Sequence, residues 1–253
     1  MEAADIPVVL VLSHRGGSGK TALAAGIASD WADLGEKPLL VDCAAAGGAS
    51  ALFGRYLPAD FVFPVWRGEE KPFPMVQEGG MSMRFLKAGP ALKDPQAAER
   101  LREGAAKARC TSVVVDLPAC GRSELEPLLR VATLVLLVMP VDALAFRGSR
   151  PFLEMIQEER ARPGRDFQSV VVVNGTGVKN PAKEHTEVFL RQYLGPILAP
   201  VEIPHDPSLK AGMAKGILPG SEAERSPASD AILRLAKHLR QMLAQHGTAG
   251  AMA

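Results

Sequence analysis

Seven consecutive residues, Arg15-Gly16-Gly17-Ser18-Gly19-Lys20-Thr21, bring together the groups needed to hold a polyphosphate. Gly16, Gly17 and Gly19 allow a sharp turn that sets backbone N–H groups against phosphate oxygens with no Cβ in the way. Lys20 adds a point charge for the phosphates, and Thr21 a hydroxyl able to ligate Mg2+. The run before them, residues 8–12, is apolar on both faces, as a central parallel strand must be. After them, Ala22 opens an alanine-rich stretch to Trp31 that reads as a helix, so the anion would sit at a helix N-terminus. A glycine-rich turn can also be purely structural, but Lys-Thr at this spacing after such a strand favours a ligand.

The elements that must position this loop follow along the chain. Residues 37–41 predict a second strand leading into Asp42, residues 83–88 a third, and residues 112–115 a fourth ending at Asp116. Residues 134–138 give a fifth closed by Pro140, residues 169–173 a sixth ending at Asn174, and residues 200–204 a short last one. Helices are expected over 95–109, from Pro140 to about Glu159, over 182–194 and over 227–245. Strands rich in Val and Leu alternating with helices imply an α/β, three-layer fold with a mostly parallel central sheet and helices on both faces. A ligand would then lie at the carboxyl ends of the strands, where residues 14–20, Asp42, Asp116 and Asn174 all fall. A single nucleotide-binding domain over 1–246 with a flexible tail at 247–253 accounts for the length.

The general phosphate-loop pattern, G-x-x-x-x-G-K-[ST], has its first glycine where His14 stands. Residues 15–21 instead resemble the deviant Walker A box of the ParA/MinD ATPases, with Arg15 in place of the signature lysine. The resemblance implies a P-loop NTPase that binds ATP and Mg2+ and dimerises when ATP is bound, the cation at position 15 reaching the partner subunit's nucleotide. Arginine keeps that charge and adds a planar fork suited to phosphate. Lys20, Arg15 and Asp42 are then the catalytic candidates, and Gly16, Gly17, Ser18, Gly19, Lys20, Thr21 and Ala22 the nucleotide cradle. The segment 41–50 is similar to the family's V-D-x-D-x-Q-G-x-x-S stretch, and Asp42 matches its first acid. Ala44 stands where the second acid orients the attacking water, a task a methyl group cannot perform, so hydrolysis is expected to be slow or impaired. Asp116-Leu117-Pro118 has the form of the family's second switch, with Asp116 and Thr21 as metal-site residues, although an aspartate there also suits a cap for the next helix. Asn174 falls where the family reads adenine, and Pro204 where its last strand leads to a loop on the base. Arg15, Ala44 and residues 116–118 are also similar to one branch, the BcsQ-type proteins of bacterial cellulose synthesis.

Two functions follow from this resemblance. One is a slow ATPase whose dimer positions a cargo through a protein partner such as a ParB-like adaptor. The other is a non-hydrolysing, nucleotide-bound scaffold serving a cellulose synthase subunit. Nonspecific DNA binding would belong to partition, and a net charge of +1 over 253 residues gives it little support. The chain opens with two acids in its first five residues and no basic targeting flank, and three cysteines without metal-ligand spacing fit a reducing, cytoplasmic setting.

Residues 54–80 hold five of the thirteen aromatic residues and four prolines. A partner-binding loop and a short helical excursion folded on the sheet edge both fit them, and the second is favoured. In the last helix Ile232, Leu235, Ala236, Leu239, Met242 and Leu243 form one stripe. Without a bulky aromatic, that stripe is expected to pack on the core rather than bind a membrane directly.

Overall fold

A computed structural model describes residues 6–44, 48–53, 75–78, 81–88, 95–219 and 225–250. In chain order the elements are β1 (Val8–Leu12), α1 (Lys20–Asp33), β2 (Pro38–Asp42), α2 (Ala49–Phe53), β3 (Met75–Glu78), β4 (Met81–Lys87), α3 (Pro95–Lys107), β5 (Ser112–Asp116) and α4 (Arg122–Val131). They continue as β6 (Leu134–Pro140), α5 (Ala143–Arg160), β7 (Gln168–Thr176), α6 (Pro181–Leu194), β8 (Ile203–Pro204), α7 (Pro207–Ala214) and α8 (Pro227–Gly250).

The strands form one sheet in the order β3-β4-β2-β5-β1-β6-β7-β8. Every pair is parallel except β3–β4 at the edge, which is antiparallel. Both faces of this sheet are covered, which is why β1, β2 and β5 are buried at every residue. The period-2 alternation of β1 sends Val8, Leu10 and Leu12 into one core and Val9 and Val11 into the other. α3 to α6 pack on the first face, and α1, α2, α7 and α8 on the second. The three-layer α/β fold expected from the sequence is the fold observed.

All strands expected from the sequence are present, and two elements differ in detail from the expectation. Met75–Glu78, at the end of the proline- and aromatic-rich segment, is an edge strand paired with β4 rather than part of a helical excursion. The aromatics of that segment, at positions 56, 61, 63, 66 and 73, lie outside the described residues. α8 runs on to Gly250, past the end near Gln245 suggested by its stripe.

That stripe is buried. Ile232, Leu235, Ala236 and Leu239 sit in the second core, with Met242 and Leu243 packed against it. The Trp31 indole N–H of α1 donates to the Ala236 carbonyl at 3.1 Å, locking α8 onto α1. Among the described residues no helix is long and apolar enough to cross a membrane.

Because seven strands are parallel, their carboxyl ends share one edge of the molecule. Asp42 and Asp116 end β2 and β5 as direct register partners, and Val11 of β1 is opposite Asp116. On the other side, Pro140 of β6 is opposite Asn174 of β7.

Candidate functional site

The loop from Ser13 to Gly19 leaves β1 and enters α1 through two residues in the left-handed region, Gly17 at φ 70° and Gly19 at φ 95°. Gly19 is required for a second reason. A Cβ there would lie 2.2 Å from Asn174 Nδ2, and that amide donates to the Ser18 carbonyl at 2.7 Å. Asn174, expected from the resemblance to face a base, is here a brace beneath the loop.

Lys20 is buried and its ammonium donates to the Arg15 carbonyl at 3.0 Å, closing the loop on itself. Burial lowers its pKa, against the raising influence of Asp116 and Cys120. The Ser18 hydroxyl is buried with no hydrogen-bond partner among the described residues. A buried polar group without a partner is costly unless something occupies its lone pair or proton. The orphan hydroxyl, the buried ammonium and the first N–H groups of α1, including that of Ala22, are supplied by consecutive residues of one loop and helix start. These groups fit a polyphosphate.

Next to the cradle is an acidic corner. The Thr21 hydroxyl donates to Asp116 Oδ2 at 2.8 Å. Burial pushes the Asp116 carboxyl up to about 7; neighbouring Asp42 adds to the shift, and Thr21, Lys20 and the Ala49 N–H oppose it. A carboxylate so desolvated is suited to a cation beside it. Among the described residues no three His, Cys, Asp or Glu side chains form a metal cluster. A cation here would therefore be held jointly by Thr21, Asp116 and the ligand's phosphates, the manner in which Mg2+ is commonly held.

Asp42 is fully buried, and its carboxylate accepts from the backbone N–H groups of Ala44 at 2.9 Å, Gly48 at 3.0 Å and Ser50 at 2.7 Å. Its observed work is to hold the backbone of Ala44, Gly48 and Ser50, the last of these in α2, against the end of β2. Gly48 allows this close approach, since a Cβ there would be 2.9 Å from Asp116 Oδ2 and 3.2 Å from Asp42 Oδ1.

Arg15 projects from the loop, 48% exposed, and pairs with Asp142 at 3.3 Å. Asp142 follows β6 and also accepts from the Leu144 N–H at 2.8 Å, capping the start of α5. His14 is fixed on the same helix, its Nδ1 lying 2.8 Å from the Ser149 hydroxyl. Pro204 ends β8, in register with Thr176 and one strand beyond Asn174, so it lies on the same edge.

The fold thus collects the residues that the sequence pattern points to, and three further features lie outside that pattern. Asp142 ends an apolar run just as Asp42 and Asp116 do, a signal that was available. His14 enters the sequence pattern only as a departure from glycine. The third is an aromatic cluster: Phe146 meets Phe189 and Tyr193 edge-on at 4.9 Å each, and Phe189 and Tyr193 stack at 5.8 Å. Phe189 and Tyr193 are about half exposed, with exposed Leu144 and Val188 on the same two helices.

No protein-family model matches this chain, and no curated protein matches it. Its likeness to known proteins lies in the fold. The MinD cell division protein of Aquifex aeolicus is 22% identical, with a TM-score of 0.74 over 93% of this chain and 97% of that one. The MinC:MinD cell division protein complex of the same organism gives 20% identity and a TM-score of 0.73 over 93% and 96%. Cobyrinic acid a,c-diamide synthase from Mycobacterium smegmatis, solved with a bound ATP analogue and magnesium, is 20% identical with a TM-score of 0.69 over 97% of each chain.

Proposed function

We propose that this chain is an ATP-binding switch of the ParA/MinD type, dimerising when ATP and Mg2+ are bound and hydrolysing slowly or poorly, so as to position a cargo. The observation that carries this reading is the cradle itself: a buried lysine, an orphan serine hydroxyl and two left-handed glycines beside the Thr21–Asp116 pair. It sits on a fold shared with MinD and with a synthase crystallised with an ATP analogue and magnesium.

Each residue has a place in this account. Lys20 neutralises phosphate charge, and Thr21 with Asp116 holds Mg2+ and its water shell. Arg15 leaves Asp142 to reach the partner subunit's phosphates. Bound ATP supplies the negative charge that draws the two subunits together. Ala44 carries no group to orient water, and Asp42 is committed to three backbone N–H groups. Both facts support weak turnover.

A protein partner belongs to the reading, since the MinD fold neighbour is also solved as a complex with MinC. The half-exposed Phe189 and Tyr193, backed by the partly buried Phe146, support it, because contiguous exposed apolar side chains mark contact surfaces.

Light scattering after size exclusion tests the reading. Wild type should become dimeric with ATP and Mg2+, Lys20→Ala should stay monomeric, and Arg15→Ala should dimerise weakly. A wild type that remains monomeric at saturating nucleotide contradicts it.

The occupied carboxylate of Asp42 favours one further version, a nucleotide-bound scaffold for a cellulose synthase or secretion complex that does not turn over. Ala44→Asp separates the two. A rise in ATP turnover from near zero supports the scaffold, and unchanged turnover in a wild type that already hydrolyses ATP removes its basis.

A further inference from the structure

His14 occupies the position where the general phosphate-loop pattern has a glycine, and the fold makes room for it. Its Nδ1 is 2.8 Å from the Ser149 hydroxyl of α5. Its ring lies against Gly148, where a Cβ would come within 2.8 Å of Nε2 and 2.9 Å of Cδ2. No side chain larger than hydrogen fits at 148 while the imidazole stays in place. The ring is thus seated against the second turn of the helix that follows β6.

We propose that His14 is a proton-binding residue of the nucleotide site: its imidazole gains proton occupancy as triphosphate charge enters the loop, and so contributes more to nucleotide affinity as pH falls.

The charges around it give the reason. Burial lowers the His14 pKa, and Arg15 and Lys20 lower it further. Among the described residues Asp142, ahead of α5, is the charged group that raises it, while α5 itself presents Gly148 and the neutral Ser149 hydroxyl. The two opposing cations are the ones that meet phosphate in the reading above, on which this inference rests. Triphosphate charge cancels their repulsion and attracts a proton to the imidazole. By linkage, a proton taken up on binding makes the affinity rise with proton concentration below the new midpoint. Ser149 keeps the ring in place through the change, since a hydroxyl can accept from an imidazolium N–H as readily as it donates to a neutral nitrogen.

Calorimetric titration with an uncleavable ATP analogue in excess Mg2+, in buffers of different ionisation heat, reads the proton directly. Relative to a variant without this imidazole, wild type should take up an extra fraction of a proton near pH 7, and the ratio of its Kd to the variant's should rise severalfold between about pH 6 and about pH 8. His14→Gln keeps a donor for Ser149 and removes the titration. The two proteins should differ most at the acid end of this range and converge at the alkaline end. Proton release at Asp116 on Mg2+ binding is common to both proteins and cancels in the difference.

NMR of the His14 ring in unaltered protein gives a second readout: its titration midpoint should lie below 6.5 when free and rise by about one pH unit with the analogue. Binding with no His14-dependent proton uptake, or an unmoved midpoint, overturns this inference alone. No binding by wild type at any pH overturns the nucleotide reading together with it.

Discussion

Arg15 and Asp142 are joined by an ion pair of 3.3 Å within one chain, at the mouth of the phosphate cradle and 127 residues apart in sequence. The cation expected to reach across a dimer is thus paired within its own subunit. Both side chains are more than 40% exposed, so the pair itself contributes little to stability. It acts as a light latch.

Asp142→Asn should release it. The amide oxygen can still accept from the Leu144 N–H and cap α5, so the melting temperature should hardly change. With Arg15 free, ATP-dependent dimers should form at about two- to fivefold lower protein concentration, the equivalent of the up to ~1 kcal/mol of an exposed pair. Sedimentation equilibrium measures this. An unchanged dimer constant would mean that Arg15 does not cross the interface.

Asn174 and Gly19 should behave as one device. Gly19→Ala places a methyl group at φ 95° and against the Asn174 amide, strain of about 1–3 kcal/mol, and nucleotide affinity should fall by about ten- to a hundredfold. Asn174→Ala loses the bond to the Ser18 carbonyl, about 1 kcal/mol, and should weaken ATP and GTP equally, by several-fold. Loss confined to ATP would show instead that Asn174 reads the base when nucleotide is bound. Competition binding with the two nucleotides decides.

How far these roles could be read from the sequence depends on the range of the contacts. The strand ends at Asp42, Asp116 and Asn174 were legible because each closes a run of Val and Leu, and parallel packing then gathers them without further information. The phosphate loop was legible from local spacing alone. What Asn174 touches was not, since its partner Ser18 is 156 residues away and no periodicity encodes that pairing. Nor was the seat of His14 against Gly148, which depends on where α5 lands beside β6. Asp42 shows a third case: its residue type fitted catalysis, while its neighbours turned it to holding backbone N–H groups.

Asp30 offers a pH test of the α1–α8 contact. Burial first, then Asp33, pushes its carboxyl up to about 6; Arg240 opposes this and Glu36 adds to it. Its Oδ2 is buried without a hydrogen-bond partner among the described residues. The folded chain therefore binds this proton more tightly than the unfolded chain does, with an ordinary value of 3.8. The stabilising contribution is complete below about pH 4 and is lost as pH rises through 6. Asp30→Asn should stabilise the protein by about 1–2 kcal/mol at neutral pH, allowing for partial exposure, and by little near pH 4. Thermal denaturation at the two pH values checks the sign, and equal effects at both would contradict the assignment.

The most direct test is whether the cradle holds a triphosphate through Lys20. Isothermal titration of the full chain with ATP and Mg2+ should give saturable binding in the wild type. The same titration of Lys20→Ala, with its fold verified by circular dichroism, should give none. Equal binding by both proteins, or heat-silent wild type with no nucleotide retained on filters, would contradict the account.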